Sequence, residues 1–229
     1  MIAGGRVVLL AAAIVCLPRL AAAQVYIGGS APHRGSIAVG GDGTFVSGFD
    51  MGGATADLTT SSATQRYDLF STASRVDSFP GVSLRVGYYL TRSISIEGGM
   101  LYARPTLSTD LSDDAESASD EAATQQASHY VFGGSLVIDF RDAAFAGSRA
   151  VPFVSAGAGH LRELHEGNQL VETGIEYHAT AGLKYWLGAG DHRFGLRFEA
   201  GLSAREKGLD NQDERRVLPL VSAGLSYLF

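Results

Sequence analysis

An all-β chain that closes across a membrane as an eight-stranded, antiparallel, up-and-down barrel is the fold class that this sequence predicts. Eight segments alternate between apolar and polar or small residues with a period of two, the side-chain period of a strand. The polar set of these segments is rich in glycine and serine with isolated charges, which suits the crowded interior of a narrow barrel. Short and long connections also alternate along the chain, as in membrane barrels with both chain ends on one side.

The eight segments have 9 to 13 residues each, and about 9 to 11 residues suffice for a transmembrane β-strand. A soluble sandwich is the main rival, but its polar face usually carries long Lys, Glu and Thr side chains. Glycine and serine predominate here, so we expect the apolar face to meet lipid. The segments are 36–47, 82–90, 93–104, 129–140, 152–164, 175–187, 193–205 and 217–229.

The first four segments alternate apolar residues with polar or small ones. The first places Val39 and Phe45 on one face and Asp42 on the other. Thr91-Arg92 alone separates the second segment from the third, so the pair is predicted to form a tight hairpin. The fourth sets apolar residues such as Phe132 against a small and polar set.

The last four segments vary in regularity. The fifth, 152–164, alternates least clearly because alanine and glycine occupy both faces. The sixth and the seventh alternate without interruption, the seventh setting Phe198 and its apolar neighbours against Arg197 and Glu199. The eighth ends the chain on Phe229 and is described next.

The final segment reads V-L-P-L-V-S-A-G-L-S-Y-L-F, with an apolar or aromatic residue at every second position counted back from the end. This ending resembles the closing strand of bacterial outer-membrane barrels, which the outer-membrane assembly machinery reads as a sorting signal. The resemblance covers nearly all of the chain after the first 23 residues, and is to the small barrels typified by the OmpA membrane domain and the OmpX and Ail group. It implies a cell outer-membrane location of Gram-negative type, a monomer, and contact with outer-membrane lipid and lipopolysaccharide. The residues that carry the implied assembly signal are Val221, Leu225, Tyr227 and Phe229.

The N-terminus predicts secretion through the inner membrane. Arg6, an apolar run from 7 to 17 and an alanine triplet before Gln24 form a signal-peptide pattern, while a spanning helix needs about 20 apolar residues. We therefore expect residues 1–23 to be removed, 24–34 to form a short periplasmic segment, and 35–229 to form the barrel. The remaining chain has no cysteine. Because Arg6 and Arg19 are removed with the signal peptide, it has 16 basic residues, two fewer than the 18 of the full sequence, and 24 acidic ones. Disulfides are excluded, and nucleic acid is an improbable partner without a basic face.

Charged residues on the predicted inner face form the candidate site. Unpaired charges in a low-dielectric interior are costly, so these groups are expected to pair. The interpretation that follows is a barrel with a structural or surface-interaction role and a lumen plugged by ion pairs; a narrow gated pore is the alternative. The predicted lumen network consists of Asp42, Arg85, Glu97, Glu176, Lys184, Arg197 and Glu199.

The predicted threading sorts the outward aromatic residues into two rings, which suits a barrel held at two membrane interfaces. The ring at the turn end comprises Tyr88, Phe140, Tyr185, Phe194, Tyr227 and Phe229, and the ring at the loop end comprises Phe45, Tyr102, Tyr130 and Tyr177. The loop 105–126 holds six carboxylates without calcium-loop spacing, so a solvated acidic loop is expected. Residues 66–71 of the first long connection suggest a small hairpin and a partner-binding lip.

A lipid A-modifying enzyme is the second alternative, because some eight-stranded barrels have that activity. The deacylase type resembles a His-x-Ser pair on a strand, and none of the histidines in the predicted strands has serine two residues on. His178 precedes Thr180 by two, but that pair is predicted to face the lumen, where it would not meet lipid. We therefore expect no enzymatic activity, no catalytic residues, no cofactor and no metal site.

Overall fold

The computed structural model describes residues 32–59, 66–112, 121–165, 171–187, 193–206 and 216–229. The predicted signal peptide, and residues 24–31 of the predicted N-terminal segment, lie outside the described residues. No helix in the described ranges is long and apolar enough to cross a bilayer. The strands are β1 Ile37–Val46, β2 Phe49–Thr59, β3 Arg66–Val76, β4 Phe79–Tyr89, β5 Ile94–Ala103, β6 Thr106–Ser112, β7 Glu121–Asp139, β8 Ala150–His165, β9 Val171–Leu187, β10 Phe194–Glu206 and β11 Arg216–Leu228.

Eight of these strands close into a barrel. β1, β4, β5, β7, β8, β9, β10 and β11 each pair antiparallel with the next, and β11 pairs with β1. Phe229, the residue after β11, donates its N–H to the Ile37 carbonyl across a 2.8 Å hydrogen bond. The predicted fold class, an all-β, antiparallel, up-and-down barrel of eight strands, is confirmed.

The stagger of the strands sets the width of the barrel. We followed the paired residues from strand to strand once around the barrel, starting at Gly40 of β1. The last residue of this path, Arg216 of β11, is in register with position 50 on the extension of β1, so one circuit shifts the register by ten residues. With a rise of about 3.3 Å and a strand spacing of about 4.8 Å, eight strands with this shift tilt by about 41° at a radius of about 8 Å. Such an interior is filled by side chains. The path runs through Gly40, Arg85, Gly99, Gly133, Gly159, Glu176, Arg205 and Arg216.

A second sheet, comprising β2, β3, β6 and residues 121–126 of β7, continues from one end of the barrel. We call this end the sheet end and the opposite end, which carries the Thr91-Arg92 turn, the turn end. Residues 66–71 belong to the β2–β3 hairpin, as expected, but the strands are longer than predicted. The loop expected over 105–126 is wrong for β6 and for the start of β7, because these segments pair with each other and β6 also pairs with β3. Residues 113–120, which hold four of the six carboxylates of the expected acidic loop, lie outside the described residues.

The two faces of the barrel wall are those predicted. The outward positions between the two aromatic rings carry an apolar residue or glycine on all eight strands, throughout the described residues. Tyr177 and Tyr185, one from each ring, lie eight residues apart on β9, or about 20 Å along the barrel axis at the tilt given above. Val82, Leu84 and Leu225 are 61%, 62% and 59% exposed. The barrel therefore carries an uncharged belt close to the roughly 25 Å height of a membrane band.

Small residues occupy most of the outward positions at mid-height in this belt. Gly98 pairs with Gly134, Ala156 with Ala179, and Ala181 with Ala200. Leu84 is a large residue at this level, where it pairs with Gly41 and Met100. Leu84 therefore marks the middle of the belt on β4.

Candidate functional site: a charged lumen closed at both ends

The lumen network centres on Arg197, which β10 holds on its inner face between two carboxylates. Its Nη1 donates to both Glu97 oxygens at 2.9 and 2.8 Å, and its Nη2 donates to Glu199 at 2.8 Å. The guanidinium also lies over the Phe153 ring, 4.3 Å from the centroid. Arg197 is 4% exposed, so these contacts replace most of its hydration.

Arg85 extends the network to the first strand. It donates to Asp42 at 2.7 Å and to Glu199 at 3.3 Å. Ser222 and Thr180 donate further hydrogen bonds to Glu199, at 2.9 and 3.2 Å. β1, β4, β5, β9, β10 and β11 all contribute to this group, so its charges tie together strands on opposite sides of the barrel.

A separate pair lies on the turn-end side of the network. Lys184 of β9 donates to Asp139 of β7 at 2.7 Å and to the Tyr89 hydroxyl at 3.3 Å. Asp139 and Lys184 are both buried. Alternation alone places both residues in the lumen, but the stagger of the barrel decides that Lys184 meets Asp139.

A third charged group lies toward the sheet end. Arg205 donates to Glu176 at 3.1 Å and lies 3.6 Å from Glu163, which is 2.8 Å from Nδ1 of His129. The Phe79 ring lies 5.7 Å from the His129 ring and 5.8 Å from the Arg205 guanidinium. His129 and Glu163 are fully enclosed, at 0% and 1% exposure.

Apolar clusters close the lumen at both ends. At the turn end, Tyr89, Val151, Trp186 and Leu228 pack together. At the sheet end the cluster also includes residues of the second sheet, which carries its apolar side chains over the mouth. This second cluster comprises Val46, Met51, Val76, Phe79, Ala103, Ala127 and Leu218, with Phe49, Leu107 and Leu220 packed against it.

Between the central network and the sheet-end group lies a cavity of about 140 Å³. Gly99, Gly133 and Gly159 are among the residues that line it. Ser135 and His178 also face this cavity, with 2.8 Å between Oγ and Nε2. The cavity can hold several water molecules, with Ser135 and His178 among the polar groups that such water would contact.

The structure brings five of the seven predicted network residues into one group: Asp42, Arg85, Glu97, Arg197 and Glu199. Lys184 lies in the turn-end pair and Glu176 in the sheet-end group. The sequence reasoning did not include His129 and Glu163. Both already lie in the predicted segments 129–140 and 152–164 and on their inner faces, so applying the alternation to the whole of each segment would have found them.

Of the predicted assembly signal, Val221, Leu225 and Tyr227 lie on the outer face of β11, and Phe229 follows the strand. Val221 and Leu225 are more than half exposed, and the Tyr227 ring contacts Phe194 and Phe229 at centroid distances of 4.8 and 4.6 Å. Tyr227 and Phe229 therefore form part of the turn-end aromatic ring. Their role in assembly stays a prediction.

No protein-family model matches the chain, and no curated protein sequence matches it. Among solved structures, the chain is similar to the outer membrane protein OprG from Pseudomonas aeruginosa, with 13% identity, a TM-score of 0.50, and coverage of 88% of this chain and 98% of that chain. It is also similar to Neisserial surface protein A (NspA), with 15% identity, a TM-score of 0.51, and coverage of 86% and 100%. The shared feature is the fold, which is that of small eight-stranded outer-membrane barrels.

Proposed function

We propose that the protein is an outer-membrane β-barrel of the Gram-negative type with a structural or surface-interaction role. The uncharged outward belt between two aromatic rings carries the proposal, because a water-exposed wall would leave this apolar surface unfavourably hydrated. Outer-membrane lipid and lipopolysaccharide are then its immediate surroundings. The outer-membrane assembly machinery is its proposed partner during insertion, after secretion through the inner membrane.

The turn end is assigned to the periplasm and the sheet end to the cell exterior. Both Ile37 of β1 and Leu228 of β11 lie at the turn end, and short turns on the side of the chain ends are typical of such barrels. The second sheet then projects from the cell surface. Surface loops carry the binding functions of many folds, so we propose this sheet as the interaction region.

A closed lumen supports a structural role over transport. Ion pairs cross the middle of the barrel, and an apolar cluster shuts each end. We propose that the charged groups stabilise the closed barrel by joining strands that share no backbone ladder. A monomer is sufficient for this role.

An arginine scan of the outer face tests the membrane location. Replacing Leu84 with Arg at mid-belt is expected to destabilise the inserted barrel by about 2–4 kcal/mol. Thr173→Arg is the matched control, since Thr173 is exposed and outward on β9 but lies beyond the sheet-end ring. The folded fraction in phospholipid vesicles is measured across a urea series by electrophoretic mobility, which differs between the folded and the heat-unfolded barrel. This series gives the free energy of unfolding of each variant. Equal, small effects of the two substitutions would indicate a wall in water and reject the proposal.

A narrow gated pore is the second candidate, and the cavity of about 140 Å³ favours it because the lumen is not filled along its whole length. Conduction would require both apolar clusters to open. Single-channel recordings in planar bilayers distinguish the two roles. Long closed baselines are expected for the structural role, and a large, steady conductance would establish the pore.

We also propose that the barrel has no enzymatic role. Ser135 and His178 form a hydrogen-bonded pair of the kind used in nucleophilic catalysis, but both face the lumen. Acyl chains in a bilayer would not reach a pair enclosed by the wall and both apolar clusters. Incubation of the purified protein with lipid A is expected to leave the acyl chains of the lipid intact. If the wild type shortened these chains and the Ser135→Ala variant did not, the proposal would be overturned.

A further inference from the structure

Three basic side chains project outward side by side at the sheet end of the barrel. Arg104 follows the last residue of β5, and His160 and Arg162 lie on the outer face of β8. All three are exposed, while Leu161 and Glu163 on either side of Arg162 are buried. The three residues, called the rim patch below, therefore point away from the lumen.

The strand register places Arg104 and Arg162 just beyond the sheet-end aromatic ring, and His160 level with that ring. Tyr130 pairs with both Tyr102 and Arg162, and Phe132 pairs with His160. The Tyr102 and Tyr130 rings lie 5.0 Å apart beneath the two arginines. Arg104 and Arg162 are separated by two strands and two residues, so their α-carbons are about 12 Å apart and their long side chains can reach one ligand.

Within the part of the chain that the structure describes, no carboxylate pairs with the rim patch. Among the described residues, none of the three makes a hydrogen bond or an ion pair, whereas Arg75, Arg85, Arg197 and Arg205 all pair with carboxylates. The remaining described outward positions at this level carry no cation; they include Pro80, Thr173, Ile175, Ala204 and Val217. The nearest described outward carboxylate is Glu206 on β10, two strands from His160. Ile175 of β9 pairs with both residues. Among the described outward positions at this level, the cations thus lie on one side of the barrel.

We propose that the rim patch binds the phosphate groups of a lipid A-type glycolipid in the outer leaflet. Guanidinium groups match phosphate oxygens with two parallel hydrogen bonds, and tyrosines favour the headgroup level of a membrane. The side chains leave the wall just above the apolar belt, where lipid phosphate is concentrated and phosphate from solution is not. This inference rests on the proposed outer-membrane location.

Titration of the membrane-extracted protein with lipid A tests the patch. Bound lipid is counted by native mass spectrometry in detergent, with diphosphorylated lipid A, dephosphorylated lipid A and inorganic phosphate as separate probes. Each arginine near an anionic membrane surface contributes roughly a fivefold gain in binding, so R104Q/R162Q is expected to weaken diphosphorylated lipid A binding about 25-fold. The control R34Q/R92Q removes the same charge from exposed positions at the turn end.

Specific outcomes separate the two proposals. Preferential binding of diphosphorylated lipid A, lost in R104Q/R162Q and kept in R34Q/R92Q, supports the rim patch. Equal binding of both lipid A forms, equal affinities of the two double variants, or displacement of the lipid by millimolar inorganic phosphate would overturn it. Failure of the wild type to fractionate with outer membranes, or to show heat-modifiable mobility, would instead reject the proposed location.

Discussion

Replacing Arg197 with methionine is expected to destabilise the barrel strongly while leaving its shape intact. Methionine keeps much of the apolar contact with the Phe153 ring but removes every donor of the guanidinium. Glu97 then loses both hydrogen bonds that it accepts from Arg197. Glu199 keeps Arg85, Thr180 and Ser222 as partners. The principal damage is therefore one buried carboxylate without a partner.

The expected magnitude follows from this difference between the two carboxylates. Breaking a buried ion pair by removing one member costs about 3–5 kcal/mol, because the remaining charge stays desolvated. In the double variant E97Q/R197M no charge is stranded, and the expected cost falls to about 1–2 kcal/mol, close to that of lost hydrogen bonds. The double variant should therefore be more stable than the single variant R197M, which is the reverse of additive behaviour.

The assay is urea-induced unfolding in phospholipid vesicles, followed by heat-modifiable mobility on gels. Arg92→Gln is the control, because Arg92 is exposed at the turn end and surface substitutions usually change stability by less than about 0.5 kcal/mol. A loss below about 1 kcal/mol for R197M, or a double variant no more stable than R197M, would refute the assignment of the network as the stabilising element of the lumen.

Two further substitutions test the terminal strand and the tight lumen. Phe229→Ser should lower the amount of barrel in outer membranes without changing refolding into vesicles, since the backbone hydrogen bonds to Ile37 do not need the ring; equal amounts in cells would remove the assembly role. Gly182→Ala should cost about 1–3 kcal/mol in vesicle unfolding, because a Cβ there would collide with the Phe198 carbonyl oxygen and lie 2.7 Å from Phe153 ring atoms. Gly43→Ala is its control, with nothing nearer than 3.9 Å, and equal stabilities of the two variants would contradict the packing argument.

The barrel strands and their faces were predictable because a period of two is local information. Each of the eight predicted segments overlaps one barrel strand, and Asp42, Arg85 and Arg197 lie on the predicted inner face. Even the irregular segment 152–164 lies within β8, because its backbone ladder with β7 and β9 does not depend on large side chains.

The second sheet and the ion-pair partners were less accessible to sequence reasoning. β3 pairs with β6 although the residues in register are 31 to 41 positions apart, as Val76 with Leu107 and Ser71 with Ser112 show. Small and polar residues in these strands give little contrast between faces. Pairs such as Lys184 with Asp139 depend on the ten-residue stagger, which is a property of the closed ring and of no single strand.

Strand β7 passes from the second sheet into the barrel wall without interruption over its 19 residues. It pairs with β6 at one end of its length and with β5 and β8 along the rest. This continuous strand joins the two parts without a linker of its own, so it fixes the direction in which the second sheet leaves the barrel. If a partner docks on this sheet, as proposed above, its binding surface is already ordered. Binding then costs less conformational entropy than it would if a free loop had to become ordered.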